Sequence, residues 1–355
     1  MKIVHVTQPV EAGVAVVVLE LARAQQRRGW NVSIACPPTG RLAEEARNAG
    51  IPVHPWQATR SPGPRTAVEL RKLRGTLRAL KPDLVHLHSS KAGLARLVLR
   101  GRTPTLFQPH LWSFRIADGL LSRACRLWES LASRWTHLLV CVSDDELKAG
   151  RRTGVTAPAV VVCNGVDTQR LRPQHKANEI PTAVCVGRVA HQKGQDLLLK
   201  AWPHVLEAVQ DAQLLIVGDG PMAAELRAIE HPGVRWHGHS DAVDDFYARA
   251  DVVVLPSRAE GMALVPLEAM ACGRSVVAFD VEGVQQSLGD AGEVVPAGDV
   301  EALAQAIALR LADPELAAAE GKRGRARAET LFDRDRMTDQ IVTLTEKLVT
   351  EEGRR

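Results

Sequence analysis

The sequence is poor in the features that make a chain membrane-spanning, disulfide-stapled or metal-holding. Aromatic residues make up only 4% of it, with a single Tyr and 5 Phe. No apolar run approaches the roughly 20 residues that span a bilayer. No secretory leader is legible either: Lys2–Thr7 reads as a first strand, and the apolar stretch after Gly13 is broken by Glu20. A cytosolic location is therefore expected. Cys36, Cys125, Cys141, Cys163, Cys185 and Cys272 are scattered, form no C-x-x-C pair and mostly sit in apolar runs, so buried free thiols are expected rather than disulfides. The 12 His residues show no H-E-x-x-H or H-x-x-x-H spacing, and no metal site is expected. The basic stretches lack interleaved aromatics, which argues against a nucleic-acid partner.

What is present fits a two-domain globular chain. A length of 355 residues supports two buried cores. Charge divides unevenly: residues 1–170 carry a net +13 and the remainder a net −9. Such asymmetry points to two domains meeting different partners. The basic residues are densest between Arg60 and Arg102. They form either a solvated helical face or a surface for an anionic partner.

Short β-branched runs alternate with helical patterns. Strands are predicted at Lys2–Thr7, Asn31–Cys36, Asp83–His88, Thr105–Gln108, Leu138–Val142 and Ala159–Cys163, then at Thr182–Gly187, Gln213–Val217, Val234–His237, Asp251–Leu255 and Ser275–Phe279. Val14–Arg28, Leu70–Leu80, Glu301–Leu311 and Arg336–Leu348 carry apolar residues at helical spacing. The fold class is α/β, with two Rossmann-like domains on parallel sheets covered on both faces. The domains are 1–170 and 171–335, with a C-terminal helix at about 336–355 that can pack back on the first. The polar segment Arg170–Pro181 is the expected linker. Ligands are expected at the carboxyl ends of the strands, in a cleft between the domains.

Two elements carry chemistry. One is Asp251-Val-Val-Val-Leu-Pro-Ser-Arg-Ala-Glu260-Gly261-Met262-Ala263-Leu264-Val-Pro266-Leu-Glu268, a strand, a loop and a helix. Pro266 suits the helix's first turn. Glu260 lies on the loop and Glu268 on the helix. Both can face one crevice, where carboxylates accept from vicinal hydroxyls and helix-start N–H groups hold phosphate oxygens. Two ordinary surface glutamates are the plainer alternative. The other element is Val186-Gly187-Arg188-Val-Ala-His-Gln-Lys193-Gly194, after the second domain's first strand. Arg188 and Lys193 at a sheet's carboxyl edge can hold a diphosphate and stabilise charge building on it.

Together these elements resemble the retaining, nucleotide-sugar-dependent glycosyltransferases of family 4. That family has the GT-B fold, two Rossmann-like domains facing each other across a deep cleft. The resemblance extends to Val217-Gly218-Asp219-Gly220-Pro221 and Asn164-Gly165-Val166-Asp167. It implies that Arg188 and Lys193 bind the donor diphosphate, with Gly187 and Gly218 beside it. It also implies that Glu260 contacts the donor sugar, that Glu268 contacts the ribose, and that the Gly261–Leu264 amides line the pocket. In the first domain it implies a donor-side role for Gly13 and an active-site role for His110. A lone His after a strand is otherwise more often structural. Two departures stand out. Ala12 precedes Gly13 where two adjacent glycines are usual, and Gln286 stands where many members carry an acid.

The function the resemblance implies is transfer of a hexose from a nucleotide diphosphate sugar to an acceptor hydroxyl with retention, by same-face attack and without a metal or other cofactor. Sequence reading ranks UDP first and GDP second. The first domain's charge fits an anionic, lipid-linked or polysaccharide-precursor acceptor. It also allows peripheral contact at the inner face of a membrane through the Arg60–Arg102 region with Trp112 and Phe114. The alternatives are a nucleotide-sugar 2-epimerase, which would change the donor without an acceptor, and a non-catalytic partner subunit, which would bind donor without turnover.

Overall fold

The structure is a computed structural model that describes residues 1–60, 62–174 and 180–353. The expected linker Arg170–Pro181 therefore falls partly outside the described residues, as do the last two positions of the expected C-terminal helix. The chain divides into one unit made of Met1–Asn164 and the segment from Asp335 onward, and a second made of Gly165–Arg334. The division thus falls at 164/165 rather than 170/171. The reason is local. Val166 pairs with Asp333, and Arg325 donates to the carbonyls of Thr168 and Leu171, so residues 165–171 are held within the second unit.

The first unit's strands are β1 Lys2–Thr7, β2 Asn31–Cys36, β3 Val53–Pro55, β4 Leu84–His88, β5 Thr105–Gln108, β6 Leu138–Cys141 and β7 Ala159–Val161. They form one parallel sheet in the order β3-β2-β1-β4-β5-β6-β7. The second unit's are β8 Thr182–Val186, β9 Gln213–Val217, β10 Val234–Gly238, β11 Val252–Leu255, β12 Ser275–Phe279 and β13 Gly292–Val295. Their order, β10-β9-β8-β11-β12-β13, repeats the same winding. In each sheet the order reverses beside the first strand, between β1 and β4 and between β8 and β11. Crevices for ligands open at such reversals.

The central strands read as continuous apolar runs because helices cover both faces. In the second unit Val252, Val254, Val277 and Ile216 pack against Leu198, Trp202 and Ile307 from the helices Gln195–Ala208 and Val300–Ala312. The two strands that periodicity does not show, β3 and β13, are edge strands containing Pro55 and Gly292, where burial is partial. Among the described residues no helix is long and apolar enough to cross a membrane.

Part of the basic stretch is internal. Lys91 Nζ lies 2.7 Å from Glu69, and Arg96 lies 2.5 Å from Glu129, both pairs almost fully buried. Arg65, Arg71, Lys72, Arg74 and Arg78 are exposed. Trp112 and Phe114 correct the expectation that they meet a bilayer. They are 0% and 3% exposed and stack on each other, and the Trp112 indole donates to the Glu146 carbonyl at 2.7 Å. Burial of such rings stabilises the fold by roughly 2–3 kcal/mol each. The exposed apolar surface lies instead on the next helix, Gly119–Ala132, where Leu120 is 81% and Leu127 63% exposed.

Ala12 begins the helix Ala12–Arg27 with φ 60°, a left-handed conformation that disfavours a side chain. The usual glycine would relieve it. Ala12→Gly is expected to raise stability by about 1 kcal/mol in urea denaturation, whereas a loss of stability would show that the alanine methyl group contributes packing.

Candidate functional site

The second sheet brings Gly187, Arg188, Lys193, Gly218, Glu260, Gly261, Met262, Ala263, Leu264 and Glu268 to the carboxyl ends of β8, β9 and β11 and to the helix after β11, at its reversal point. The loop after β8 is tied to the loop after β9: the Gly187 amide donates to the Val217 carbonyl at 2.9 Å, and Val189 donates to Asp219 at 3.0 Å. A single turn, His191–Lys193, then leads through Gly194 into the helix Gln195–Ala208.

The loop after β11 lies directly against this turn. A Cβ on Gly194 would sit 1.9 Å from the Pro256 carbonyl oxygen, so only glycine allows the approach. The Arg258 amide donates to the Gln192 carbonyl at 2.8 Å, and the Gln192 side chain donates to the Ala259 carbonyl at 2.9 Å. Arg258 also grips both Asp196 carboxylate oxygens at 2.7 Å. The Arg258 guanidinium holds the Asp196 carboxyl below its usual range. Arg258 and Asp196 were not expected as site residues. They act on the loops that carry Lys193 and Glu260 rather than presenting charge themselves.

Those two expected residues are brought into contact. Lys193 Nζ donates to Glu260 Oε1 at 2.6 Å, with the lysine side chain 24% and the glutamate side chain 8% exposed. A partly accessible cation and a buried carboxylate thus share one position between two tied loops. Gly261, Met262 and Ala263 are buried and lead into the helix Leu264–Ala271, with Pro266 in its first turn. The loop after β12 closes on this segment: a Cβ on Gly283 would meet the Gly261 carbonyl oxygen at 2.2 Å. Gln286 follows one turn later, its carbonyl accepting from Arg327 at 2.9 Å.

Glu268, on the helix, accepts from the Tyr247 hydroxyl at 2.7 Å. Burial, followed by the Glu268 charge, raises the Tyr247 phenol well above its ordinary range, so it remains a donor. The sequence signal for Tyr247 was available, since it is the chain's single tyrosine, but nothing local ties it to a residue 21 positions away.

Gly13 and His110 belong to the first unit, at the carboxyl ends of β1 and β5. His110 has φ 62° and lies 3.1 Å from the His88 ring. Burial lowers its pKa to about 3, so the ring is neutral. The cysteines are free, and burial pushes the Cys185 and Cys272 thiols up to about 12, which keeps them out of nucleophilic chemistry.

The family description "Glycosyltransferase Family 4" matches residues 12–170, and "Glycosyl transferases group 1" matches residues 180–313. The lipopolysaccharide core biosynthesis mannosyltransferase LpcC of Rhizobium leguminosarum is 31% identical over 277 residues, 68% of this chain and 79% of that protein. The GDP-mannose-dependent alpha-(1-6)-phosphatidylinositol monomannoside mannosyltransferase of Mycolicibacterium smegmatis is 36% identical over 187 residues, 45% of this chain and about half (49%) of the relative's own length. Among solved structures, sucrose-phosphate synthase from Thermosynechococcus elongatus aligns with a TM-score of 0.85 at 23% identity, covering 98% of this chain and 99% of that one.

Proposed function

This chain belongs to glycosyltransferase family 4 and has the GT-B fold, and from that premise we propose that it transfers a hexose from a nucleotide diphosphate sugar to an acceptor hydroxyl with retention. The observation that carries the reading is the Lys193–Glu260 contact of 2.6 Å at the reversal point of the second sheet. A diphosphate beside Lys193 would draw the ammonium to itself and free Glu260 to accept from sugar hydroxyls. Glu268 would accept from the ribose, its carboxylate oriented by Tyr247. Arg188 and Lys193 would stabilise the departing diphosphate, in the way that preorganised cations lower a barrier where charge develops.

In the proposed step the acceptor oxygen bonds to the anomeric carbon on the face the phosphate leaves. The carbon–phosphate oxygen bond breaks, and the acceptor's proton passes to a departing phosphate oxygen. Protein cations supply the charge, so no metal is required. The sequence ranks a uridine nucleotide first, but the relatives at 31% and 36% identity are mannosyltransferases, and one of them is GDP-mannose-dependent. We therefore place GDP-mannose ahead of UDP-sugars. Transfer to a lipid-linked acceptor is expected to give a product of unchanged anomeric configuration by NMR and to persist in EDTA. Inversion, or activity lost in EDTA and restored by magnesium, would refute this chemistry.

A lipid-linked acceptor requires a membrane face, and the helix Gly119–Ala132 fits one. Leu120, Ala124, Leu127 and Leu131 share one exposed side at helical spacing, and Arg115, Arg123, Arg126 and Arg134 are exposed around it. Leucines flanked by arginines match an anionic bilayer, whose charge is opposite. Leu120→Asp combined with Leu127→Asp is expected to abolish co-sedimentation with phosphatidylglycerol vesicles at low salt. Unchanged binding in that variant would place the contact elsewhere.

A further inference from the structure

Four histidines crowd the first unit's reversal point. His5 on β1 is register-paired with His86 on β4, and His88 follows two residues later on the same face. Three of the rings and one amide form a continuous line of hydrogen bonds. Gln25, on the helix Ala12–Arg27, places Oε1 2.8 Å from His5 Nε2. His5 Nδ1 lies 3.0 Å from His88 Nε2. His88 Nδ1 lies 3.1 Å from His110 Nε2. The His86 ring, tilted by 30° with its centroid 3.8 Å from that of His88, lies beside the line rather than in it.

The proton positions along this line follow from one end. With the Gln25 amide oxygen turned toward His5, that oxygen only accepts, so in this arrangement His5 Nε2 carries the proton. Burial lowers His5 to about 4 and holds His88 well below its ordinary range, so each ring is neutral and has one N–H. His5 Nδ1 is then bare and accepts from His88 Nε2. His88 Nδ1 is bare in turn and accepts from His110 Nε2. The neutral His110 is left with a bare Nδ1, which has no partner among the described residues. His110 is also held at φ 62°, a conformation that costs about 1–2 kcal/mol and persists only where its surroundings impose it.

We propose that Gln25, His5 and His88 are positioning residues that lock His110 in the Nε2–H tautomer, making its Nδ1 a standing hydrogen-bond acceptor for a sugar hydroxyl. The hydroxyl rests on the function proposed above; the tautomer lock does not. Without the lock the outward nitrogen would be a donor part of the time and would repel a hydroxyl that must donate.

Long-range proton–nitrogen correlation spectra of the 355-residue chain read each ring's protonation directly. In the wild type, His5, His88 and His110 are expected as Nε2–H tautomers at pH 7, and Nδ1–H signals in these rings would overturn the proposal. Gln25→Met removes the terminal acceptor, so His110 is expected to populate both tautomers and turnover to fall about tenfold with donor KM unchanged. A His110 that stays Nε2–H in that variant overturns the lock. Mixed tautomers with unchanged turnover support the lock and remove His110 from the proposed reaction. Ring nitrogens of His5, His86 and His88 lie within 4.8 Å of one another, close enough for a divalent ion. Stoichiometric metal in the purified wild type, with those nitrogens deprotonated, would overturn the proposal as well.

Discussion

Replacing Lys193 by Ala is expected to lower kcat by about a thousandfold or more, equivalent to roughly 4 kcal/mol of lost transition-state stabilisation. The lysine is the cation nearest the buried Glu260 carboxylate, at 2.6 Å, and it sits on a turn held by Gly194 and Gln192. The turn that carries it is therefore in place before a donor arrives, and only the side chain has to swing from Glu260 to the diphosphate, so little reorganisation offsets its electrostatic contribution. The same substitution leaves Glu260 buried without this partner, and stability should fall by about 1–3 kcal/mol. The two effects separate in the double variant Lys193→Ala with Glu260→Gln. Urea denaturation should then return toward the wild-type midpoint because no carboxylate is stranded, while kcat stays low. Recovery of turnover in the double variant would show that Lys193 serves only to neutralise Glu260.

Gly194→Ala is expected to be among the most disruptive single methyl additions in the second unit. Gly194 has φ 71°, and its Cβ would lie 1.9 Å from the Pro256 carbonyl oxygen, a backbone atom that cannot rotate away. The loops after β8 and β11 would have to separate. That breaks the Arg258–Gln192 backbone bond and moves Lys193 from Glu260. A cost of about 3 kcal/mol or more is expected, above the roughly 1–2 kcal/mol of the left-handed conformation alone. Gly298→Ala isolates the conformational part, because Gly298 has φ 82° and nothing within 4 Å of the Cβ position. Equal losses in the two variants, measured by urea denaturation, would mean that the loops can part freely and that the glycine is needed only for its backbone angle.

The interior strands were legible in the sequence because burial on both faces writes a continuous apolar run. Ser275–Phe279 and Gln213–Val217 are such runs. Of the four edge strands, β7 and β10 were legible as well, whereas β3 and β13 were not, because they are short, partly buried and interrupted by Pro55 and Gly292, which an edge tolerates. The side chains of the site were legible as types on loops and helices. Their pairing was not: Lys193 and Glu260 stand 67 positions apart, Asp196 and Arg258 62, and only the winding of the sheet brings them together. Apolar periodicity has the opposite ambiguity. The stripe Leu120, Ala124, Leu127, Leu131 looks core-facing by spacing, yet it is exposed, while Trp112 and Phe114, on either side of Ser113 and just before the exposed Arg115, are interior. Periodicity reports that a face is apolar and does not report what covers it.

Glu260 and Glu268 have separate partners, Lys193 and Tyr247, and the central claim is that the two carboxylates divide one donor between its sugar and its ribose. Calorimetric titration of the purified protein with GDP-mannose and UDP-glucose, in EDTA, tests it most directly. The account predicts saturable binding of one of them at micromolar concentrations, weakened about tenfold or more in both Lys193→Ala and Glu268→Gln. Wild-type affinity in both variants, or no binding of either nucleotide sugar by the wild type, would contradict it.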